Sequence, residues 1–203
     1  MSRFRAGTSL LAVAALTGVL AGCGSDADEV AALTTRVEQL DDEREGLQQE
    51  VDAAATRHDK TVAVVEGLRT ILDDPESVGD EDAVTTALAE FATPDAQMED
   101  DALGGSIGIR LAWSKTLYSN AMDARIDIRH SWVSDDGTLS GGLWIRHGTN
   151  QAGNPFELIG VQVDTHDDEG RITHELVVYP YPDEYVVEAV QGAGTPVVLT
   201  AEE

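Results

Sequence analysis

Four stretches in the second half of the chain alternate apolar and polar residues, and they constrain the fold more than any other feature. They run from Arg125 to Val133, Leu139 to His147, Phe156 to Thr165 and Arg171 to Tyr179. Alternation with a period of two marks strands with one buried face. Between them lie Asp135-Asp136-Gly137, then Gly148 to Gly153, then Asp167 to Gly170. Acidic, glycine-bearing turns of this length join antiparallel neighbours, so the spacing predicts a meander. Upstream the pattern is helical. VAVVEGLRTILDD stops before Pro75, and DEDAVTTALAEFA carries acids in its first turn, where the helix dipole favours them. Residues 95 to 99 read as a short strand, Gly104 and Gly105 as a loop, and IGIRLAWSKTLYS as a third helix. Helices first and strands afterwards is an α+β order.

A different repeat precedes this part. Counted from Val30, the a and d positions of a heptad read Val30, Leu33, Val37, Leu40, Arg44, Leu47, Val51 and Ala54. Such spacing puts one apolar seam on one face of a helix, which over residues 28 to 57 is about 45 Å long. The seam weakens through Ala54, His58 and Thr61 and resumes at Val65, Leu68 and Leu72. The reading is a coiled-coil stalk over 28 to 60, joined to the domain near residues 55 to 61. The stalk either self-associates, with Arg36 and Asp41 as an attractive pair between chains, or acts as a solitary spacer; self-association is favoured. The domain spans 61 to 188, and 189 to 203 form a flexible tail.

At the N-terminus, Arg3 and Arg5 precede the apolar run SLLAVAALTGVLA, too short for a bilayer span of ~20 residues but suited to a secretory signal. Leu20-Ala21-Gly22-Cys23 resembles the lipobox of bacterial lipoproteins. That resemblance implies removal of residues 1 to 22, palmitate-type acylation of the Cys23 thiol, a spacer over 23 to 27, and a place on the extracytoplasmic face of the cell membrane. Cys23 is the only cysteine, so the domain has no disulfide and no thiol chemistry. Removing residues 1 to 22 takes away two arginines and no acid, so the formal charge of −25 becomes −27. A surface this acidic repels nucleic acid, which is excluded as a partner.

Three further segments, in order, carry a second resemblance: FATPDAQMEDDALGG (residues 91 to 105), Arg146-His147-Gly148-Thr149, and GVQVDTHDDEGRITHELVVYPYPDE (residues 160 to 184). Together, residues 61 to 187 resemble the nuclear transport factor 2-like superfamily, in particular its SnoaL-like branch. The resemblance implies a curved antiparallel sheet wrapped on N-terminal helices into a cone with an apolar pocket. It also implies domains that often pair through the open sheet face. Some members act on lipophilic small molecules and others only bind. The aspartate usual after the closing aromatics is displaced here by Tyr179-Pro180-Tyr181-Pro182 before Asp183.

Counting by twos gives the candidate pocket residues. Ile126, Ile128, His130 and Trp132 share a face of one strand, Leu143, Ile145 and His147 of the next, and Ile172, His174, Leu176 and Val178 of the last. His130 and His174 are expected to be buried on one side of the sheet, with His147 nearer a strand end. Inward histidines would be acid–base candidates. Asp95 matches an aspartate that in the family lies near the pocket. Trp113, Tyr118 and Trp132 are candidates for its walls. Glu157 and Glu175, on the opposite register, are expected in solvent. Neither HxH nor HExxH is present, so no metal is expected, and no cofactor. Two functions remain: a module that binds a small lipophilic ligand or an envelope protein, which is favoured, and a cofactor-free enzyme of the polyketide-cyclase or ketosteroid-isomerase type.

Overall fold

The computed structural model describes residues 27–100, 105–119, 122–150 and 152–191. The expected signal peptide, Cys23, the spacer before Ala27 and the tail from residue 192 lie outside them. The chain divides into two compact units, Met1–Glu50 and Val51–Glu203. One helix, α1 (Ala27–Leu72), supplies residues to both. Residues 55 to 61, where the heptad seam weakens, continue this helix; no glycine or proline interrupts it there.

In the first unit, α1 leaves its seam uncovered: Leu33, Val37, Leu40 and Leu47 are between 38% and 62% exposed. Arg44 pairs with Asp41 at 3.5 Å within the same helix.

In the second unit, α1 buries Thr61, Val64, Leu68 and Leu72, an i, i+3, i+7 and i+11 stripe on one face. After α2 (Pro75–Val78), Asp80 caps α3 (Glu81–Phe91) by accepting from the backbone N–H groups of Asp82 and Ala83. The chain passes directly into β1 (Ala92–Asp100). Gly105, expected in a loop, and Ile107 and Gly108, expected to open the third helix, belong instead to a short strand β2 (Gly105–Gly108). The third helix starts as α4 (Ile109–Ser114) and widens into a π-helical turn, Lys115–Ser119. Then come β3 (Met122–Val133), β4 (Leu139–Thr149), β5 (Pro155–His166) and β6 (Ile172–Val178). The last element is α5 (Asp183–Gln191), whose Val186 and Val190 are fully buried. Residues 189–191, expected in the tail, belong to this helix, because Val190 completes an apolar stripe that packs on β5.

One curved sheet has the order β2-β1-β6-β5-β4-β3. The predicted meander β3 to β6 is antiparallel, whereas β1 enters parallel to β6. The architecture is the α+β cone, with a mixed rather than purely antiparallel sheet.

Two bulges decide which side chains face the helices. Ile128 and His130 of β3 pair with Trp144 and Leu143 of β4, so Arg129 is an extra residue. On β6, Ile172 and His174 pair with His166 and Thr165 of β5, so Thr173 is extra. An extra residue reverses the in–out alternation beyond it. The turns before β4 and after β5 contain Gly137 (φ 70) and Gly170 (φ 75). A Cβ at either would lie 2.4 Å or 2.7 Å from the backbone of α1, so both turns sit flush against that helix.

Candidate functional site

Downstream of the bulge at Thr173, Glu175, Val177 and Tyr179 face the interior. In register with them stand Asp164 on β5 and Ser140 on β4: Ser140 pairs with Asp164, and Asp164 with Glu175. Two carboxylates thus lie directly opposite each other on the inner face. Their exposures are 3% for Asp164 and 2% for Glu175, and Ser140 is 1% exposed. They border a cavity of about 60 Å³, room for a few waters, whose other walls include Leu68, Met98, Trp113 and Ile128. Inward glycines leave this room: Gly142 also lines the cavity, and the indole of Trp144 lies where a Cβ on Gly160 would stand.

The carboxylate pair is partly compensated. Trp113 Nε1–H donates to both oxygens of Glu175, at 3.3 and 3.4 Å. Gln162 Nε2 donates to Asp164 Oδ2 at 3.0 Å, and Ser140 Oγ lies 3.1 Å from the same oxygen. Asp164 Oδ1 has no hydrogen-bond partner. Burial lifts the Asp164 carboxyl to about 6, against the pull of the Gln162 and Ser140 hydrogen bonds. Burial, then the adjacent Asp164 charge, pushes Glu175 well above the usual carboxylate range.

A second polar group closes the other part of the cavity. Arg146 and Asp100 are both fully buried. Arg146 donates to the carbonyl of Thr116, at the π-helical turn, and its guanidinium lies 5.3 Å from the centre of the Phe156 ring. Its Nε and Nη1 have no hydrogen-bond partner. Burial lowers the guanidinium to about 10, with Tyr179 and Asp100 acting in the opposite direction. Tyr179 donates its hydroxyl to Asp100 Oδ2 at 3.0 Å and meets Trp144 edge-on at 5.8 Å.

The residues singled out from sequence are distributed differently. Trp113 lines the cavity. Tyr118 is half-buried and donates to the carbonyl of Val78 at 2.9 Å, away from the cavity lining. Burial, then Glu81 and Asp80, raises its hydroxyl to about 12. Asp95 is exposed on β1. His130 and Trp132, expected inside, are exposed, because the bulge at Arg129 turns them to the outer face. His174 lies on that face too, 3.4 Å from Glu99, since the bulge at Thr173 separates it from the buried Ile172. His147 is also outside, between Asp127 (3.1 Å) and Glu157 (3.3 Å). Glu175, expected in solvent, is buried for the same reason that His174 is not. Cys23 lies outside the described residues.

Asp164, Ser140, Arg146, Asp100 and Tyr179 are not among the pocket residues that counting by twos selects. A usable signal was present: within β4 and β5, the positions alternating with apolar ones are small or polar in neighbouring strands, as a cavity wall requires. Among the described residues, no group of three or more His, Cys, Asp or Glu side chains is arranged to hold a metal ion, and no helix is long and apolar enough to cross a membrane.

This cone is the fold of the nuclear transport factor 2-like proteins. A nuclear transport factor 2-like protein of unknown function from Burkholderia pseudomallei superposes with a TM-score of 0.51 at 14% identity, covering 64% of this chain and 97% of that one. A putative SnoaL-like polyketide cyclase from Jannaschia gives 0.50 at 15% identity, covering 68% and 95%. At these identities the likeness shows the fold alone. No protein-family model and no curated protein matches the sequence.

Proposed function

We propose that the domain binds a small, largely apolar molecule bearing a hydrogen-bonding group, as the extracytoplasmic part of a lipoprotein held at the membrane through Cys23. The observation that carries the ligand reading is the cavity: apolar walls around buried polar atoms, Asp164 Oδ1 and Arg146 Nη1, that have no hydrogen-bond partner. Buried polar groups without partners are costly, and a ligand that supplies the partners recovers that cost. Binding of 2-propanol and acetone, small enough for a cavity of this size, followed through Trp113 and Trp144 fluorescence, tests it. Ser131 is exposed yet lines the cavity, so it stands at the rim. Ser131→Trp should plug the entrance and abolish the response without disturbing the core. An unchanged response in that variant would place the probes elsewhere.

The anchor rests on the lipobox resemblance. Cys23→Ser should release the chain from membranes or leave it unprocessed; mature protein still fractionating with membranes would refute it.

One observation favours a second reading, a cofactor-free enzyme that moves a proton on a bound carbonyl compound. Burial makes Asp164 and Glu175 weaker acids than usual, which keeps a proton available at this site near neutral pH. Its test is exchange of the α-hydrogens of acetone in D2O. Acceleration by the protein that Asp164→Asn removes supports it, and no acceleration leaves the binding reading alone.

A further inference from the structure

Asp164 is connected away from the cavity as well as toward it. Ser140 Oγ lies 3.1 Å from Asp164 Oδ2 and 2.8 Å from Nε2 of His166. On the far side of the ring, Nδ1 of His166 lies 2.9 Å from the carbonyl oxygen of Gly170. All three side chains are buried, His166 at 7% exposure being the most open. His166 ends β5, next to the turn in which Asp168 and Glu169 are exposed.

Counting hydrogens constrains this chain. A carbonyl oxygen can only accept, so Nδ1 must carry a hydrogen. In a neutral imidazole, Nε2 is then an acceptor and takes the single hydroxyl hydrogen of Ser140. Ser140 has none left for Asp164, so the Asp164–Ser140 contact is a hydrogen bond only if Asp164 donates it. The alternative puts the hydrogen on Nε2: imidazolium donates to Ser140, and Ser140 donates to an Asp164 carboxylate. Either arrangement holds one proton beyond those of Ser140 and Nδ1. The two differ by moving one hydrogen from Asp164 to Ser140 and another from Ser140 to His166.

We propose that Asp164, Ser140 and His166 form a proton relay between the cavity and the β5–β6 turn. The proposal rests on the reading of the cavity as a ligand site, and gives that ligand a chemical class: a molecule that exchanges a proton with Asp164 Oδ1, the oxygen without a protein partner. When a ligand hydrogen moves to Oδ1, the hydrogen on Oδ2 passes to Ser140 Oγ. The former hydroxyl hydrogen of Ser140 passes to His166 Nε2. The products are a deprotonated ligand, a still-protonated Asp164 and a His166 imidazolium, and charge balances. Running backwards, the relay supplies a proton to the ligand.

The surroundings suit the neutral arrangement at rest. Asp164 is faced by Glu175 from β6 and Gln162 from its own strand, and feels His174 from the outer face. His166 feels the charge of Asp167. Arg171 pairs with Asp167 at 2.7 Å, and Arg57 of α1 pairs with Asp168 at 2.6 Å, so the turn's charges are largely matched. Burial lowers the imidazole and raises the carboxyl, and both directions leave the proton on Asp164.

Nitrogen and carbon NMR of the full chain, labelled with 15N-histidine and 13Cγ-aspartate, tests the relay without any ligand. The neutral His166 ring should carry its hydrogen on Nδ1, and the Asp164 carboxyl and His166 Nε2 should shift in one shared titration step. Asp164→Asn removes the Asp164 titration, so His166 Nε2 should lose the shift it shows in that step. With Ala at position 140, the Asp164 step should have less than a third of its effect on Nε2. A neutral ring protonated on Nε2, or an undiminished effect in Ser140→Ala, would overturn the relay. If Ser140→Ala does not fold, the tautomer of the unsubstituted chain decides alone. Because no ligand enters the measurement, failure here is distinct from failure of the cavity to bind 2-propanol.

Discussion

At the scale of single residues, the most consequential fact is that acids occupy the dry side of the sheet. The pH dependence of stability follows from their shifts. The folded-state pKa values of Asp164 and Glu175 lie above the ordinary 3.8 and 4.5, so the native state binds these protons more tightly than the unfolded chain does. Their favourable contribution is complete below about pH 4 and is lost as pH rises through the folded values, near 6 for Asp164. Asp136 acts in the opposite sense. The Thr138 backbone N–H and the Ser134 and Thr138 hydroxyls hold it at about 2, so what it contributes is lost only as the pH falls toward that value. Stability should therefore peak between about pH 4 and 6 and decline toward pH 8. Asparagine mimics a protonated aspartate in shape. Asp164→Asn should match the parent at pH 4 and exceed it by up to about 3 kcal/mol at pH 8. Urea unfolding at the two pH values measures this, and an equal loss at both would mean that the Asp164 charge carries no such penalty.

At the scale of elements, the strands and helices were legible in the sequence because their periods are local properties. The inward faces were not. Alternation assigns a face correctly only up to the next bulge, and both bulges fall beside histidines the reading relied upon. Ile128 was correctly inward, and the extra Arg129 then sent His130 and Trp132 out. Ile172 was correctly buried, and the extra Thr173 exchanged His174 for Glu175. On β4 the error had another source. Leu143 and Ile145 look like core residues, yet they lie on the outer face and are half-buried, while Arg146 is inside. With apolar residues on both faces, hydrophobicity alone cannot choose between them. The turns offer a sharper test of how elements meet. Gly137→Ala must tolerate φ 70 and place a Cβ 2.4 Å from the α1 backbone, whereas Gly153→Ala, at φ 81, meets nothing within 4 Å. The second should cost about 1 kcal/mol, the conformational term alone. The first should cost more than about 2 kcal/mol, since α1 itself must shift. Equal costs in thermal denaturation would mean that the turn does not bear on the helix.

At the scale of the whole molecule, the question is what covers the seam of the first unit. Leu33, Val37, Leu40 and Leu47 recur at heptad spacing and are open to solvent. A helix this polar elsewhere gains little by itself, and burial against a second copy is the arrangement that such spacing serves. Anchoring through Cys23 would confine copies to one surface and raise their effective concentration, so even a weak seam suffices. The net charge of −25 opposes association, and the effect is screened by salt. Arg44 occupies an a position, where a charge lowers stability and fixes register. Without the lipid, residues 27–203 should therefore sediment as a dimer or trimer, more so at higher salt, and Arg44→Leu should tighten the assembly. Residues 51–203, which lack most of the seam, should fall to a smaller species. If any association persists there, the exposed Trp132 and Val178 on the outer sheet face offer the second contact, and Trp132→Glu should remove it. Identical sedimentation for both lengths, with no response to Arg44→Leu, would exclude self-association through the seam and leave the first unit as a spacer.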